Sequence, residues 1–304
     1  MKKILILTSG SKKKLTPFKL SARKLDIDLT TASFNDIYFD SDSREILLKG
    51  GVKISDFKVI YFRLVGNSLE TASLVAVFAK QKGISGAFPK RIKIVDRIYE
   101  KPQTFPITQS KAQEMKSLAD AKVAIPKTLF GSLAEIVKKG PARLGYPFVI
   151  KSTSGKKGRE VYSPKDGKAL RALIVTLSKE EKLGKKFFAQ EFINSTKRIR
   201  ALVVGGKIIG LVSQLTKWRK RVSGYKPQED EKKIGRFVPD RNMQKLALSA
   251  VAATGIDIAG VDILIDEDSG KYYVIEVNAA PSWKLIKKYC KVNVEYEILK
   301  YLSR

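Results

Sequence analysis

The sequence predicts a mixed α/β protein: an open α/β domain over about the first hundred residues, then a larger α+β region. Two observations predict the first part. Strand-like and helix-like hydrophobic patterns alternate there, and the strand runs are short, apolar and rich in β-branched residues. A third predicts the second part. Beyond Lys101–Pro106, which holds two prolines and reads as a linker, helices and strands recur and end in a strand–turn–strand unit. A chain of 304 residues suits two or three modest domains.

In order, KILIL is a first strand and Lys14–Leu25 an amphipathic helix. LTTASF and EILLKG are further strands, and KVIYFRLVG a buried one. Leu69–Lys82 has helical spacing and is expected to stop at Gly83. In open α/β sheets ligands sit beyond the carboxyl ends of the strands. This makes Ser9, Gly10 and Arg63 substrate-side candidates, with plain loop and surface roles as the alternative. After the linker come a helix over Ser110–Asp120, capped by Ser110, and an extended Pro-containing stretch. A helix around Ala134–Lys139, the strand YPFVIK and a helix over Asp166–Ser178 follow. The strands FFAQEFI, IRALVVG and KIIGLVSQL lead into a basic loop, Thr216–Gly235. A helix over Arg241–Thr254, the strands AGVDILI and YYVIEVN and one last helix ending near Leu302 complete the chain.

Composition narrows the chemistry. The basic MKKILIL start has an apolar run of only Ile4–Leu7 and no small-residue cleavage site after it, so it reads as a buried strand rather than a signal peptide. No apolar run is long enough to span a membrane. The single cysteine, Cys290, excludes an internal disulfide framework and fits a cytoplasmic protein. The absence of histidine removes Ser-His-Asp and Cys-His nucleophiles and the commonest zinc ligand. Catalysis must then use carboxylates, lysines, arginines, backbone amides and hard cations. A net charge of +29, mostly lysine, favours anionic partners such as nucleotide phosphates, acidic peptides or nucleic acid; a lysine-rich proteome is the alternative cause.

Three constellations carry chemistry. In AGVDILIDEDSGKYYVIEVN, Glu276 and Asn278 share one face of a strand. A register placing Asp262 opposite Glu276 brings two carboxylates and an amide together. Buried and unpaired, the carboxylates would repel; a hard divalent cation removes the conflict, and oxygen-only ligation suits magnesium. The alternative is a half-exposed hairpin with polar positions facing water. In VIKSTSGKKGREV, Lys151 ends a strand and Gly155 and Gly158 let backbone amides approach phosphate, unless the loop is a simple hairpin turn. In FFAQEFI, the residues Gln190, Glu191, Phe192 and Ile193 form a hinge that could hold a purine, or an ordinary sheet edge.

Taken in chain order, the lysine strand and glycine loop, QEFI, IRALVVGGKIIG, DIAGVDIL and YVIEVNAAP resemble the ATP-grasp superfamily, and most of all its RimK-type carboxylate–amine ligases. The resemblance covers Lys111 to the C-terminus. It implies a pre-ATP-grasp α/β domain over 1–100, a linker and helix over 101–126, a lid subdomain over 127–187 and a C-terminal subdomain with the metal site over 188–304. It implies ATP phosphate contacts from Lys111, Lys151 and the lid loop that includes Ser154, Gly155 and Gly158. Adenine would contact Gln190, Glu191, Phe192 and Ile193, and Mg2+, with Mn2+ as substitute, would be held by Asp262, Glu276 and Asn278. Lys151, Arg200 and Glu276 are the implied catalytic residues.

The chain also departs from the family pattern. Glu160 stands where a third lid glycine is usual, Arg198 replaces the aspartate of the Asp-Ile-Arg element, and TKWRKRVSGYK replaces the usual acceptor-side motif, with Arg221 an approximate counterpart. The implied reaction is amide formation through an acyl phosphate, adding amino acids to a small acid or a peptide end, with an anionic acceptor suggested by the basic clusters. The alternative is a nucleic-acid- or ribosome-binding protein on an inactive scaffold, with Trp218 and Tyr225 interleaved among cations.

Overall fold

The computed structural model describes residues 3–84, 93–95, 111–153, 160–216 and 233–304, with backbone alone for 80–84 and 93–95. The linker Lys101–Pro106, Ser110, the glycine loop from Ser154 to Arg159 and the basic stretch that includes Trp218, Arg221 and Tyr225 lie outside the described residues.

The N-terminal part is built on a parallel sheet. Its strands β1 (Lys3–Thr8), β2 (Asp28–Ser33), β6 (Val59–Leu64) and β7 (Lys93–Val95) lie in the order β2-β1-β6-β7. Alternation along β1 feeds two cores. Leu5 and Leu7 pack with Phe34, Ile60, Phe62 and the helix Leu69–Ile84, while Ile4 and Ile6 pack with Phe18 and Tyr61 on the other face. Each such wholly buried aliphatic side chain contributes about 1.5–3 kcal/mol relative to exposure. A small antiparallel sheet of β3 (Ile37–Asp40), β4 (Glu45–Leu48) and β5 (Val52–Lys53) covers one side; only β4 was legible as a strand. The expected helix over Lys14–Leu25 is a 3-10 turn, Lys12–Leu15, followed by the helix Thr16–Lys24, which starts where Pro17 favours a first turn. The helix from Leu69 does not stop at Gly83 but runs through it to Ile84.

Two further sheets follow. The first orders β10 (Val161–Tyr162), β9 (Phe148–Ser152), β11 (Phe187–Glu191) and β8 (Thr128–Phe130), all antiparallel. Phe148, Ile150, Phe187 and Ala189 turn one face of it toward the helices Leu133–Leu144 and Gly167–Lys182. The first of these is twice the expected length, because Pro141 sits inside it without ending it. The second sheet orders β14 (Gly235–Arg236), β13 (Lys207–Leu215), β12 (Lys197–Val204), β15 (Ile258–Ile265) and β16 (Tyr272–Asn278), again antiparallel.

One face of this five-stranded sheet packs Ile199, Ala201, Val203, Val261, Ile263 and Val277 against the helices Arg241–Thr254 and Lys111–Asp120. Asp240 caps the first of these through the backbone N–H of Met243 at 2.8 Å. On the other face, Leu202, Val204, Val212 and Ile258 join the Ile4–Phe18–Tyr61 core of the N-terminal sheet. That shared core leaves the remainder of the face, toward Arg200 and Asp262, as the floor of a cleft. The expected single last helix is two, Lys284–Cys290 and Val294–Leu302, separated where Lys291 takes a left-handed φ of 56°.

Candidate active site

The floor is a row of three charged side chains on adjacent strands. Arg200 on β12 lies opposite Asp262 on β15, which lies opposite Glu276 on β16. One step along, Leu202, Gly260 and Asn278 form the next row. Opposed residues of neighbouring strands share a face, so Arg200, Asp262, Glu276 and Asn278 all project into the cleft. A register shift follows immediately after Asp262, so the pairing that aligns the carboxylates is confined to the cleft end of the hairpin.

Asp262 is fully buried and is held by a bidentate pair from Arg200, Nε to Oδ1 at 2.7 Å and a terminal nitrogen to Oδ2 at 2.6 Å. Arg198 adds a third contact at 3.3 Å and donates to Gln214 at 3.3 Å. Thus the residue that departs from the family's Asp-Ile-Arg element lies against the central carboxylate. Burial works against the charge on Arg200, but hydrogen bonding to Asp262 and the charges of Asp262 and Glu276 outweigh it and raise its pKa. Asn278 donates weakly to the carbonyl of Gly260 at 3.5 Å.

The facing wall is the cleft side of the four-stranded sheet. Lys151 and Gln190 alternate out of the helix-covered core there, and the Lys151 ammonium donates to the Gln190 amide oxygen at 2.6 Å. Gln190 is itself buried; its amide nitrogen reaches Thr128 at 2.9 Å and the Met115 sulfur at 3.4 Å. The side chain read as part of the purine hinge is therefore committed to orienting Lys151. Burial lowers the Lys151 pKa to about 8; the charge of Lys111 pushes the same way, and Glu276 and Glu114 oppose it. Lys111, Lys151, Glu114 and Glu276 therefore share one electrostatic neighbourhood.

Around this centre the remaining candidates divide. Glu191 bonds the backbone N–H of Lys127 at 3.2 Å and lies 3.8 Å from its ammonium, while Ile193 is buried and Phe192 half-buried after the strand end. The hairpin turn braces this hinge: Glu267 donates its N–H to the carbonyl of Asn194 at 2.8 Å, and its carboxylate accepts from the N–H of Thr196. Glu160 accepts from Lys185 at 2.8 Å, and Lys185 also binds Glu180 at 2.7 Å. Hydrogen bonds from Lys185 and then Ser152 lower the Glu160 pKa, with Lys111 adding to them. Among the described residues no group of three or more His, Cys, Asp or Glu side chains gathers; the metal candidates are two carboxylates and one amide.

Sequence reasoning missed Glu114. It is buried, and its carboxylate accepts the backbone N–H of Val277, between the two proposed ligands of β16. The signal was a carboxylate on the same helical stripe as Met115 and Leu118, both buried. Gly260 is another. A Cβ there would lie 2.7 Å from the Cβ of Pro281, so only glycine lets the segment after β16 lie flat over the row.

A family model for the RimK-like ATP-grasp domain matches residues 108–302. The chain belongs to the RimK-like ATP-grasp family. Among curated relatives of this family, the chain is 24% identical to the tetrahydromethanopterin:alpha-L-glutamate ligase of Methanosarcina acetivorans over 98% of this chain and 94% of that protein. It is 26% identical to the probable alpha-L-glutamate ligase of Mannheimia succiniciproducens over 67% of this chain and 66% of that protein. Two solved ATP-grasp structures share the fold. The ATP-grasp ligase PsnB, complexed with a phosphomimetic variant of its minimal precursor, Mg and ADP, matches 100% of this chain and 98% of its own with a TM-score of 0.72 at 15% identity. The RimK domain protein from Sphaerobacter thermophilus matches 99% of each chain with a TM-score of 0.66 at 17% identity.

Proposed function

We propose that this protein is an ATP-dependent carboxylate–amine ligase that forms an amide through an acyl phosphate. The observation that carries the reading is the Arg200–Asp262–Glu276 row facing the Lys151–Gln190 pair across one cleft. A substrate carboxylate attacks the γ-phosphate of ATP and releases ADP; an amine then attacks the mixed anhydride and releases phosphate. The demand on the protein is charge neutralisation at phosphate oxygens, and that needs no histidine. Lys111 and Lys151 supply positive charge at the phosphates, and Arg200 supplies it beside Asp262. Gln190 fixes where the Lys151 ammonium points. Glu191, Phe192 and Ile193 line the purine end, and the loop with Ser154, Gly155 and Gly158 covers the phosphates.

Asp262, Glu276 and Asn278 offer only oxygen donors, a set suited to Mg2+. Asp262 accepts one hydrogen bond on each oxygen from Arg200, and Arg198 adds a contact at Oδ2, so Oδ1 keeps a lone pair for a cation. Bound there, Mg2+ would neutralise phosphate charge. The relatives named as alpha-L-glutamate ligases support glutamate as the amine substrate, and the net charge of +29 supports an anionic acceptor, a small acid or a peptide end. We assign the pre-ATP-grasp domain to 1–100, the linker and helix to 101–126, the lid to 127–187 and the metal-bearing subdomain to 188–304. Among the described residues no helix is long and apolar enough to cross a membrane. The single cysteine supports a cytoplasmic location. No observation on the described residues favours the nucleic-acid reading.

The test is amino-acid-dependent ADP release by the wild type and by Glu276→Ala. The ligase reading expects release in the first and loss in the second. Release that survives the substitution would remove Glu276 from the site.

A further inference from the structure

Arg63 is the penultimate residue of β6, at the carboxyl edge of the N-terminal parallel sheet and outside the segment matched by the family model. Its guanidinium lies over the Trp283 indole, 3.8 Å from the ring centroid, and one terminal nitrogen donates to the carbonyl of Pro281 at 2.9 Å. Its other terminal nitrogen is withdrawn from water and has no hydrogen-bond partner among the described residues. Pro281 and Trp283 belong to the segment that leaves β16 directly after Asn278, and Pro281 lies on Gly260, the register partner of Asn278. The guanidinium is thus held three links from the metal-ligand row by a strand of a different sheet.

The surroundings fix this position. The turn after β1 lies against the turn after β6: Ser9 N–H donates to the carbonyl of Leu64 at 2.7 Å. Gly66, at φ 58°, leaves no room for a Cβ, which would lie 2.5 Å from the Ser9 hydroxyl. A charged donor kept from water and left without an acceptor is costly, and charge-assisted pairing with a carboxylate is what relieves it.

We propose that Arg63 is a carboxylate-binding residue on the substrate side of the cleft, pre-set by Trp283 and Pro281 to receive a carboxylate of the substrate that does not react. This rests on the ligase reading, in which an amino acid delivers its amine while keeping its own carboxylate. Arg63 then selects substrates bearing a free carboxylate, and Trp283 and Pro281 hold the guanidinium in place.

Calorimetric binding to the full chain with Mg2+ and ADP present tests this, using L-glutamate and its dimethyl ester as probes. Wild type is expected to prefer glutamate. Arg63→Ala should lose about tenfold or more in glutamate affinity, with ester and ADP affinities unchanged. Arg63→Lys, which keeps the charge but not the fork, should fall between and guards against misfolding of the alanine variant. Equal losses for glutamate and ester, or a parallel loss of ADP affinity, would mean a purely structural role and overturn the proposal. If wild type ignores glutamate, succinate and a dipeptide with a free C-terminus take its place; failure of all three overturns the Arg63 assignment while ADP binding leaves the nucleotide site standing. Carboxylate binding lost in Arg63→Ala with no ADP binding in any variant would support Arg63 and sink the nucleotide reading instead.

Discussion

Replacing Lys151 with methionine should stabilise the fold while weakening nucleotide binding. The ammonium of Lys151 is held in the cleft wall, and burial, helped by Lys111, brings its pKa from 10.5 to about 8 against the opposing charges of Glu276 and Glu114. A lysine whose folded pKa lies below its unfolded value destabilises the fold while it is charged. That cost is full below the folded pKa and is relieved as pH rises toward the unfolded value. From the shift it is about 3 kcal/mol at pH 7 and roughly half that at pH 9.5, both upper figures because the side chain is only partly withdrawn from water. Methionine removes the cost but strands the amide oxygen of Gln190, a loss of about 1 kcal/mol. Lys151→Met should therefore be about 2 kcal/mol more stable than wild type at pH 7 and nearly equal to it at pH 9.5. Urea unfolding of both proteins at the two pH values measures this. A variant less stable than wild type at pH 7, or a difference that does not shrink with pH, would refute the reasoning.

Four further outcomes follow from the same geometry. Arg200→Ala leaves Asp262 buried with its bidentate partner gone and should cost about 3–5 kcal/mol in metal-free protein, part of it regained on adding Mg2+ in a thermal melt. Gly260→Ala drives a Cβ into Pro281 and should cost about 1–3 kcal/mol by urea unfolding, with a weakened Mg2+ response because Asn278 pairs with that position. If charged Lys151 is what the phosphates meet, ATP affinity measured calorimetrically should fall as pH rises above about 8, and the fall should be absent in Lys151→Met. Glu114→Gln keeps an acceptor for the N–H of Val277 and should fold, whereas Glu114→Leu strands that N–H at a cost of about 1–3 kcal/mol by urea unfolding.

Much of the cleft floor was legible in the sequence because its cause is local. Apolar β-branched runs with single charged interruptions dictate strands, and period two then fixes which side chains share a face. The turn DEDSG sets where β15 and β16 fold back, but counting from it places Asp262 opposite Ile275; the register shift after Asp262 is what brings Glu276 opposite, and no local signal announces it. What was missed is long-range. Nothing near Gln190 reveals that a lysine on a neighbouring strand will claim its amide. Nothing near Arg63 reveals Trp283, because the two meet only when the N-terminal sheet docks on the C-terminal segment. The small β3–β4–β5 sheet was read only in part because IYFD and VK are short, polar-flanked strands stabilised by their partners rather than by their own pattern. Gly83 misled because a glycine is a weak stop signal, costing about 1 kcal/mol inside a helix, and the helix runs through it.

The most direct measurement is ADP release from Mg-ATP by wild type and Glu276→Ala across a panel of amino acids and acidic peptides, with product masses recorded. A carboxylate–amine ligase should release ADP only when both substrates are present, yield a product of their summed mass less one water, and lose both on the substitution. Tight ATP binding with no substrate-dependent ADP and no condensed product from any member of the panel would contradict that function.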